Sequence, residues 1–208
     1  MAGYALKADI LHYFEMIDHE VLLSILRKKI SGEDTIWIIK TILSNHKAKA
    51  GKKGMPLGNL TSQFFANLYL GELDTFVKRE LRAKYYLRYV DDFILLSKCH
   101  KELDSNQKAI HEFLSGRLKL ALHPQKTGII PISSGITLLG FRVFSHFRLL
   151  KKSNQRRIKK RVELLTEKFA KGKISKESML LSLSGWEGYA KMANTFKLRK
   201  KLRSQLPD

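Results

Sequence analysis

Apolar residues recur along this chain in two alternating rhythms, one of period two and one of period 3.6, and the alternation predicts the elements. Ala5–Leu11 reads as a short buried strand. Asp18 then stands as an N-cap before HEVLLSILRKKI, and Glu33–Leu43 gives a second helix. A loop rich in Gly, Lys and Pro, HKAKAGKKGMPLGNL, runs to Thr61 and Ser62, both suited to N-capping. From Ser62 to Leu81 the stripe Phe65, Leu68, Tyr69, Phe76, Leu81 predicts the longest helix of the front half. Tyr85–Tyr89 and Phe93–Ser97 are strand-like runs around Val90-Asp91-Asp92, a hairpin pattern. Glu102–Leu114 reads as helix, Leu118–Leu122 as strand, and Ile129–Ile132 and Thr137–Phe144 as strands around Ser-Ser-Gly. Beyond them Ile158, Val162, Leu165 and Phe169 fall at helical spacing, and a further helix covers about Ser175–Met192, interrupted at Gly185–Tyr189. Strands and helices mixed with hairpins predict an α+β fold, a sheet layered by helices.

Charge divides the chain. Its 208 residues carry 39 Lys+Arg against 19 Asp+Glu, a net +20, but residues 142–208 hold 19 of those bases and only 5 of those acids. The bases Arg156, Arg157, Lys160 and Arg161 interleave with the apolar stripe of the basic helix. Clustered Lys and Arg gain affinity for phosphates by releasing counterions, so a polyanionic partner is expected, although a solvated face explains most charge runs. The shift in composition sets two expected regions, 1–147 and 148–208. A single cysteine excludes a disulfide framework. No apolar run approaches the roughly 18 residues of a membrane span, and the start is unlike a signal peptide, so a soluble, intracellular protein is expected.

Three carboxylates carry the candidate chemistry. Asp9 ends the first strand, and Asp91 and Asp92 sit side by side at the hairpin without a neighbouring glycine. Taken singly, a strand-end cap and a solvated turn account for them. Taken together, their mutual repulsion makes sense beside a divalent cation. Mg²⁺ takes hard oxygen ligands and is held by a few carboxylates plus substrate phosphates.

At YVDD the residues resemble a known box. Tyr89-Val90-Asp91-Asp92 resembles the YxDD motif of reverse transcriptases, and four more motifs follow the family's order. KADILHYFEMIDH resembles the first catalytic motif, with Asp9 as its aspartate, and GMPLGNLTSQFFAN the motif beside the incoming nucleotide. LKLALHPQKTGII resembles the segment carrying the palm lysine, here Lys126, and LLGFRV the primer-contacting hairpin. The resemblance implies an antiparallel palm sheet packed by helices, with residual fingers or a connecting segment at about 20–55, and a helical basic thumb. It implies an RNA-directed DNA polymerase using two Mg²⁺, with Mn²⁺ as an alternative, on Asp9, Asp91 and Asp92. Ile10, Tyr13, Phe14, Leu57, Gly58 and Lys126 would line the nucleotide pocket. Phe14 falls where the family excludes a ribose 2′-hydroxyl, Gly58 where backbone meets nucleotide, and Lys126 near the triphosphate, with surface Lys and ordinary core as the plain alternatives. Arg156, Arg157, Lys160 and Arg161 would grip nucleic acid. The partners implied are an RNA template, a DNA or RNA primer and dNTPs.

Among bacterial retroelements the likeness is greatest to diversity-generating retroelement or group II intron-like enzymes, which implies a cytoplasmic, prokaryotic setting. Leu57 stands where many members have Gln. Losing that amide removes a hydrogen-bonding handle and is expected to relax base or sugar selection, which a changed misincorporation spectrum in Leu57→Gln tests. Asp9 lies eight residues from the first, so the N-terminal fingers are expected to be missing or supplied by another polypeptide. The alternative function is a nucleic-acid-binding remnant without catalysis. Asp18, Asp34, Asp74 and Asp104 are expected to be caps or surface, and Arg88 a surface or structural cation.

Overall fold

The computed structural model describes residues 3–44, 52–56 and 58–206. The chain forms two compact units, Ala2–Pro131 and Ile132–Asp208. The division falls before the expected 147/148 boundary because the small sheet after Pro131 bonds to the helices that follow it. The Lys151 amide donates to Gly140 O and that of Asn194 to Arg148 O.

The front unit is built on four antiparallel strands, β1 (Tyr4–Ala8), β2 (Tyr85–Tyr89), β3 (Asp92–Ser97) and β4 (Gly128–Pro131), in the order β2-β3-β1-β4. Its helices are α1 (Tyr13–Met16), α2 (His19–Arg27), α3 (Glu33–Ser44), α4 (Leu60–Thr75) and α5 (His100–Arg117). Alternation along β1 and β3 turns Leu6, Ala8, Phe93 and Leu95 into a core shared with Tyr69, Leu70 and Leu73 of α4 and Ile110 and Leu114 of α5. Each fully buried Leu, Ile or Phe contributes roughly 1.5–3 kcal/mol, so this face fixes the register. The same alternation sends Lys7 and, one step past the strand, Asp9 to the other face.

Asp18 caps α2, its carboxylate accepting from the Glu20 and Val21 amides. It also accepts from Lys119 Nζ at 2.9 Å, a pairing from 101 residues away. The first strand is shorter than predicted, ending at Ala8. Helix α4 starts at Leu60 with Asn59 as N-cap, ahead of the expected Thr61 or Ser62, and ends at Thr75. A π-helical turn, Phe76–Glu80, replaces its expected continuation to Leu81. The wider turn keeps Val77 buried while Phe76 stacks on Phe113, ring centroids 4.2 Å apart. Leu118–Leu122 is not a strand. Its amides return to helix α5, Leu118 and Leu120 both donating to Leu114 O, and only Leu122 forms a bridge, to Ile10.

In the rear unit β5 (Ile136–Leu138), β6 (Phe141–Val143) and β7 (Arg148–Leu150) form an antiparallel sheet, followed by α6 (Lys152–Ala170), α7 (Lys176–Ala190) and α8 (Phe196–Arg203). Ile158 and Val162 of α6 meet Leu183 of α7 and Leu202 of α8 in a small core. Helix α7 runs through the expected interruption at Gly185–Tyr189. The Tyr189 hydroxyl donates to Leu139 O at 3.0 Å and its ring packs on Phe141, so tertiary contacts outweigh two helix glycines. Gly140, at φ +83°, is required there: a Cβ would overlap the Tyr189 hydroxyl and the Asn154 amide. Among the described residues no helix is long and apolar enough to cross a membrane.

Candidate active site

Strand register brings the three carboxylates to the same end of the sheet. Ala8 pairs with Phe93, so Asp9 just past β1 and Asp92 at the start of β3 leave adjacent strands at the same edge. Tyr89 pairs with Asp92, which makes Val90-Asp91 a two-residue turn and Asp92 the first strand residue. The sequence pattern had put all three residues in the turn. Asp9 is 8% exposed, and its backbone is tied down on the far side: Asp9 O accepts from the His123 amide at 2.8 Å.

The turn is strained. Val90 lies at φ +56°, where a β-branched residue is uncommon and costs about 1–3 kcal/mol. Arg88 holds it, Nη1 donating to Val90 O at 2.9 Å while Nε and Nη2 fork onto Asp74 at 2.7 and 2.6 Å. The Tyr86 hydroxyl donates to the same Asp74 carboxylate at 2.7 Å. Asp74, expected to be a cap or surface residue, is therefore the anchor of the YVDD turn, and Arg88 is its structural cation. No local pattern announces a helix residue bonding a strand fourteen positions on.

Electrostatically the cluster is under-neutralised. Burial pushes the Asp91 carboxyl above the usual carboxylate range, and the neighbouring Asp9 and Asp92 charges add to the rise. Lys126 Nζ lies 3.2 and 3.1 Å from the two oxygens of Asp9. Lys7 Nζ lies 3.6 Å from Asp92 Oδ1, an oxygen buried without a hydrogen-bond donor. Sequence reading gave Lys7 no role, although its i, i+2 spacing from Asp9 put both on one strand face. Among the described residues no three His, Cys, Asp or Glu side chains converge closely enough to hold one metal ion. Hard carboxylate oxygens, one of them orphaned, nevertheless suit Mg²⁺, which needs only one or two carboxylates beside water and phosphate.

The other expected pocket residues fall as follows. Ile10 is buried and bridged to Leu122. Tyr13 is core, 3% exposed, its hydroxyl committed to Ala66 O, and so does not offer that group to a ligand. Phe14 is half-buried with its ring edge-on to Tyr13. The Met55 amide donates to Phe14 O at 2.8 Å, bringing the glycine-rich loop back beside α1. Gly58 has φ +93° with open space where a Cβ would stand, so conformation rather than crowding requires glycine. Leu57 lies outside the described residues. Arg156, Arg157, Lys160 and Arg161 are exposed on α6, in the other unit, with Arg161 Nη2 donating to Ser182 Oγ at 2.7 Å.

A family model described as "Reverse transcriptase (RNA-dependent DNA polymerase)" matches residues 1–143. The chain belongs to the reverse transcriptase family. Among curated proteins it is similar to Protein YkfC of Escherichia coli, 25% identical over 220 residues, covering 85% of this chain and 58% of that protein. It is also similar to an uncharacterized 91 kDa protein in the cob intron of Schizosaccharomyces pombe, 31% identical over 35% of this chain and 10% of that protein. The chain thus spans just over half the length of YkfC and a tenth of the intron protein. Of solved structures, apo telomerase from Candida tropicalis matches with TM-score 0.55 at 17% identity, over 68% of this chain and 31% of that one. Telomerase from the same organism in complex with a telomeric RNA fragment matches with TM-score 0.54 at 15% identity, over 69% and 28% of the two chains. At these identities the likeness shows the α+β reverse-transcriptase fold.

Proposed function

We propose that this chain is the palm and thumb of an RNA-directed DNA polymerase that extends a primer with dNTPs by two-metal phosphoryl transfer. The observation that carries the reading is the pairing of β1 with β3, which sets Asp9 beside the Val90-Asp91 turn and Asp92 at one sheet edge. Asp9, Asp91 and Asp92 would hold two Mg²⁺, or Mn²⁺, with the Ile10 carbonyl assisting. When bound, such ions would supply Lewis acidity, lowering the pKa of a primer 3′-hydroxyl and offsetting charge on a departing pyrophosphate. The chain's own task is positioning and charge. The Arg88–Asp74 pair fixes the turn that carries Asp91, and the His123 amide fixes the Asp9 backbone. Phe14 and the Leu57-Gly58 segment would flank the sugar and base. Lys126 would leave Asp9 and turn its charge to the triphosphate. The exposed bases Arg156, Arg157, Lys160 and Arg161 would bind the backbone of template and primer, as suits a fold shared with telomerase structures solved with an RNA fragment.

The second reading is a member that binds nucleic acid without catalysis. The direct Lys126–Asp9 ion pair favours it, since that lysine occupies a proposed metal ligand. Primer extension on an RNA template separates the two. Mg²⁺-dependent extension that Asp9→Asn or Asp91→Asn removes supports the polymerase. Template binding without extension, when a polypeptide supplying fingers is also present, supports the second reading.

A further inference from the structure

Lys7 is the one member of the carboxylate neighbourhood to which the proposed reaction gives no task, and its surroundings give it one. It stands in the middle of β1, opposite Ile94 on one side and Gly128 on the other. Leu6 and Ala8 face the helices, so the Lys7 side chain lies on the face that carries Asp9. Only 23% of that side chain is exposed, a depth at which lysine is seldom found unpaired. Gly128 offers it no side chain to pack on or bond. The polar group it reaches is Asp92 Oδ1, at 3.6 Å, the oxygen that has no hydrogen-bond donor.

The arrangement at the opposite end of the cluster is parallel. Lys126 reaches both oxygens of Asp9, and among the described residues no lysine or arginine is paired with Asp91. Three carboxylates thus share two ammonium groups. An ammonium held near a carboxylate neutralises it at short range, and it must withdraw or share when a divalent cation takes the same oxygens.

We propose that Lys7 is a positioning residue that serves as a built-in counter-cation for Asp92, neutralising that carboxylate while no metal is bound and competing with divalent ions for it. This rests on reading the cluster as a divalent-metal site. Lys7 sets the charge against which the metal binds: it keeps the strand edge folded without metal and weakens the ion's hold. It follows that divalent ions stabilise the fold less in this protein than three uncompensated carboxylates would allow.

Mn²⁺ binding to the full chain, followed by electron paramagnetic resonance, tests it, alongside melting in EDTA and in Mg²⁺. Lys7→Met is expected to bind Mn²⁺ about two- to fivefold more tightly than the natural chain, the range of a partly exposed ion pair. It is expected to melt at lower temperature in EDTA, with the deficit closing in Mg²⁺. Lys7→Arg, which restores the charge, should match the natural chain in both measurements and guards against a general packing defect. Mn²⁺ affinity unchanged or weakened in Lys7→Met, or a melting deficit equal in EDTA and Mg²⁺, overturns the proposal. If the natural chain and Asp91→Asn both fail to bind Mn²⁺, the metal-site reading itself falls, and this proposal with it.

Discussion

The two units solve different physical problems with different means. The front unit surrounds its sheet with one continuous core reaching from Leu6 to Leu120, and its acids stand where backbone pairing puts them. The rear unit holds its helices by a core of Ile158, Val162, Leu183 and Leu202, and displays its bases on an exposed helix face. Residues 132–208 carry 19 bases and 5 acids, against 20 and 14 in residues 1–131. Chemistry at a phosphorus centre tolerates little misplacement, so carboxylates belong on rigid strand ends. Attraction to a phosphate backbone is long-ranged and tolerant of geometry, so bases can sit on a lightly packed helix. Placing an acid precisely takes an extensive core, whereas displaying a base takes little.

The sharpest way to break that contrast is to remove charge without touching packing. Asp91→Asn should lower Mg²⁺-dependent extension by about 10³-fold or more, since it would remove one of the proposed metal ligands. Its melting temperature should stay level or rise, because a carboxylate under repulsion from Asp9 and Asp92 is gone. Neutralising Arg156, Arg157, Lys160 and Arg161 together should weaken template–primer binding by roughly 10²-fold and cut the salt slope by about 3 to 4. That loss should appear in binding titrations at several salt concentrations, while the front unit's melting is unaffected.

Smaller effects test the support beneath the acids. Arg88→Met frees the Val90 carbonyl and leaves Asp74, among the described residues, with Tyr86 as its remaining hydrogen-bond partner, and should cost about 2–3 kcal/mol in urea unfolding, discounted for the exposure of Asp74. Asp74→Asn combined with it should add little, as a double-mutant cycle would read. Smallest is Asp18. Burial raises its carboxyl, but bonds from Lys119 and the Val21 and Glu20 amides outweigh this and leave it below its ordinary range. A depressed carboxyl stabilises the fold above its unfolded value, about 3.9, and loses that contribution as pH falls through the lower folded value. Asp18→Asn, which keeps a capping oxygen, should therefore be less stable by about 1 kcal/mol near pH 7 and equal to the natural chain at strongly acid pH.

Much of this was legible in the sequence because it is local. Period-two alternation found β1, β2 and β3, the stripe of Ile158 and Val162 found α6, and Asp18 announced its own cap. The carboxylates were legible as ordered motifs, Asp9 before Asp91 and Asp92. What was illegible depends on partners far along the chain. Asp74 takes its meaning from Arg88, the Lys119 ammonium from Asp18, and the unbroken run of α7 from Tyr189 reaching Leu139. Leu118–Leu122 carried a strand pattern, but its amides found helix α5 before any neighbouring strand. Lys7 was hidden differently: its position on the strand was evident, but only the pairing of β1 with β3 revealed what it faces.

The claim on which the rest depends is that the carboxylate edge holds divalent metal, and anomalous diffraction from Mn²⁺-soaked crystals addresses it most directly. A Mn²⁺ peak against the carboxylates of Asp9 and Asp91 is expected, with Lys126 withdrawn from Asp9. An empty edge with Lys126 still on both Asp9 oxygens, at Mn²⁺ levels that support polymerases, would contradict it.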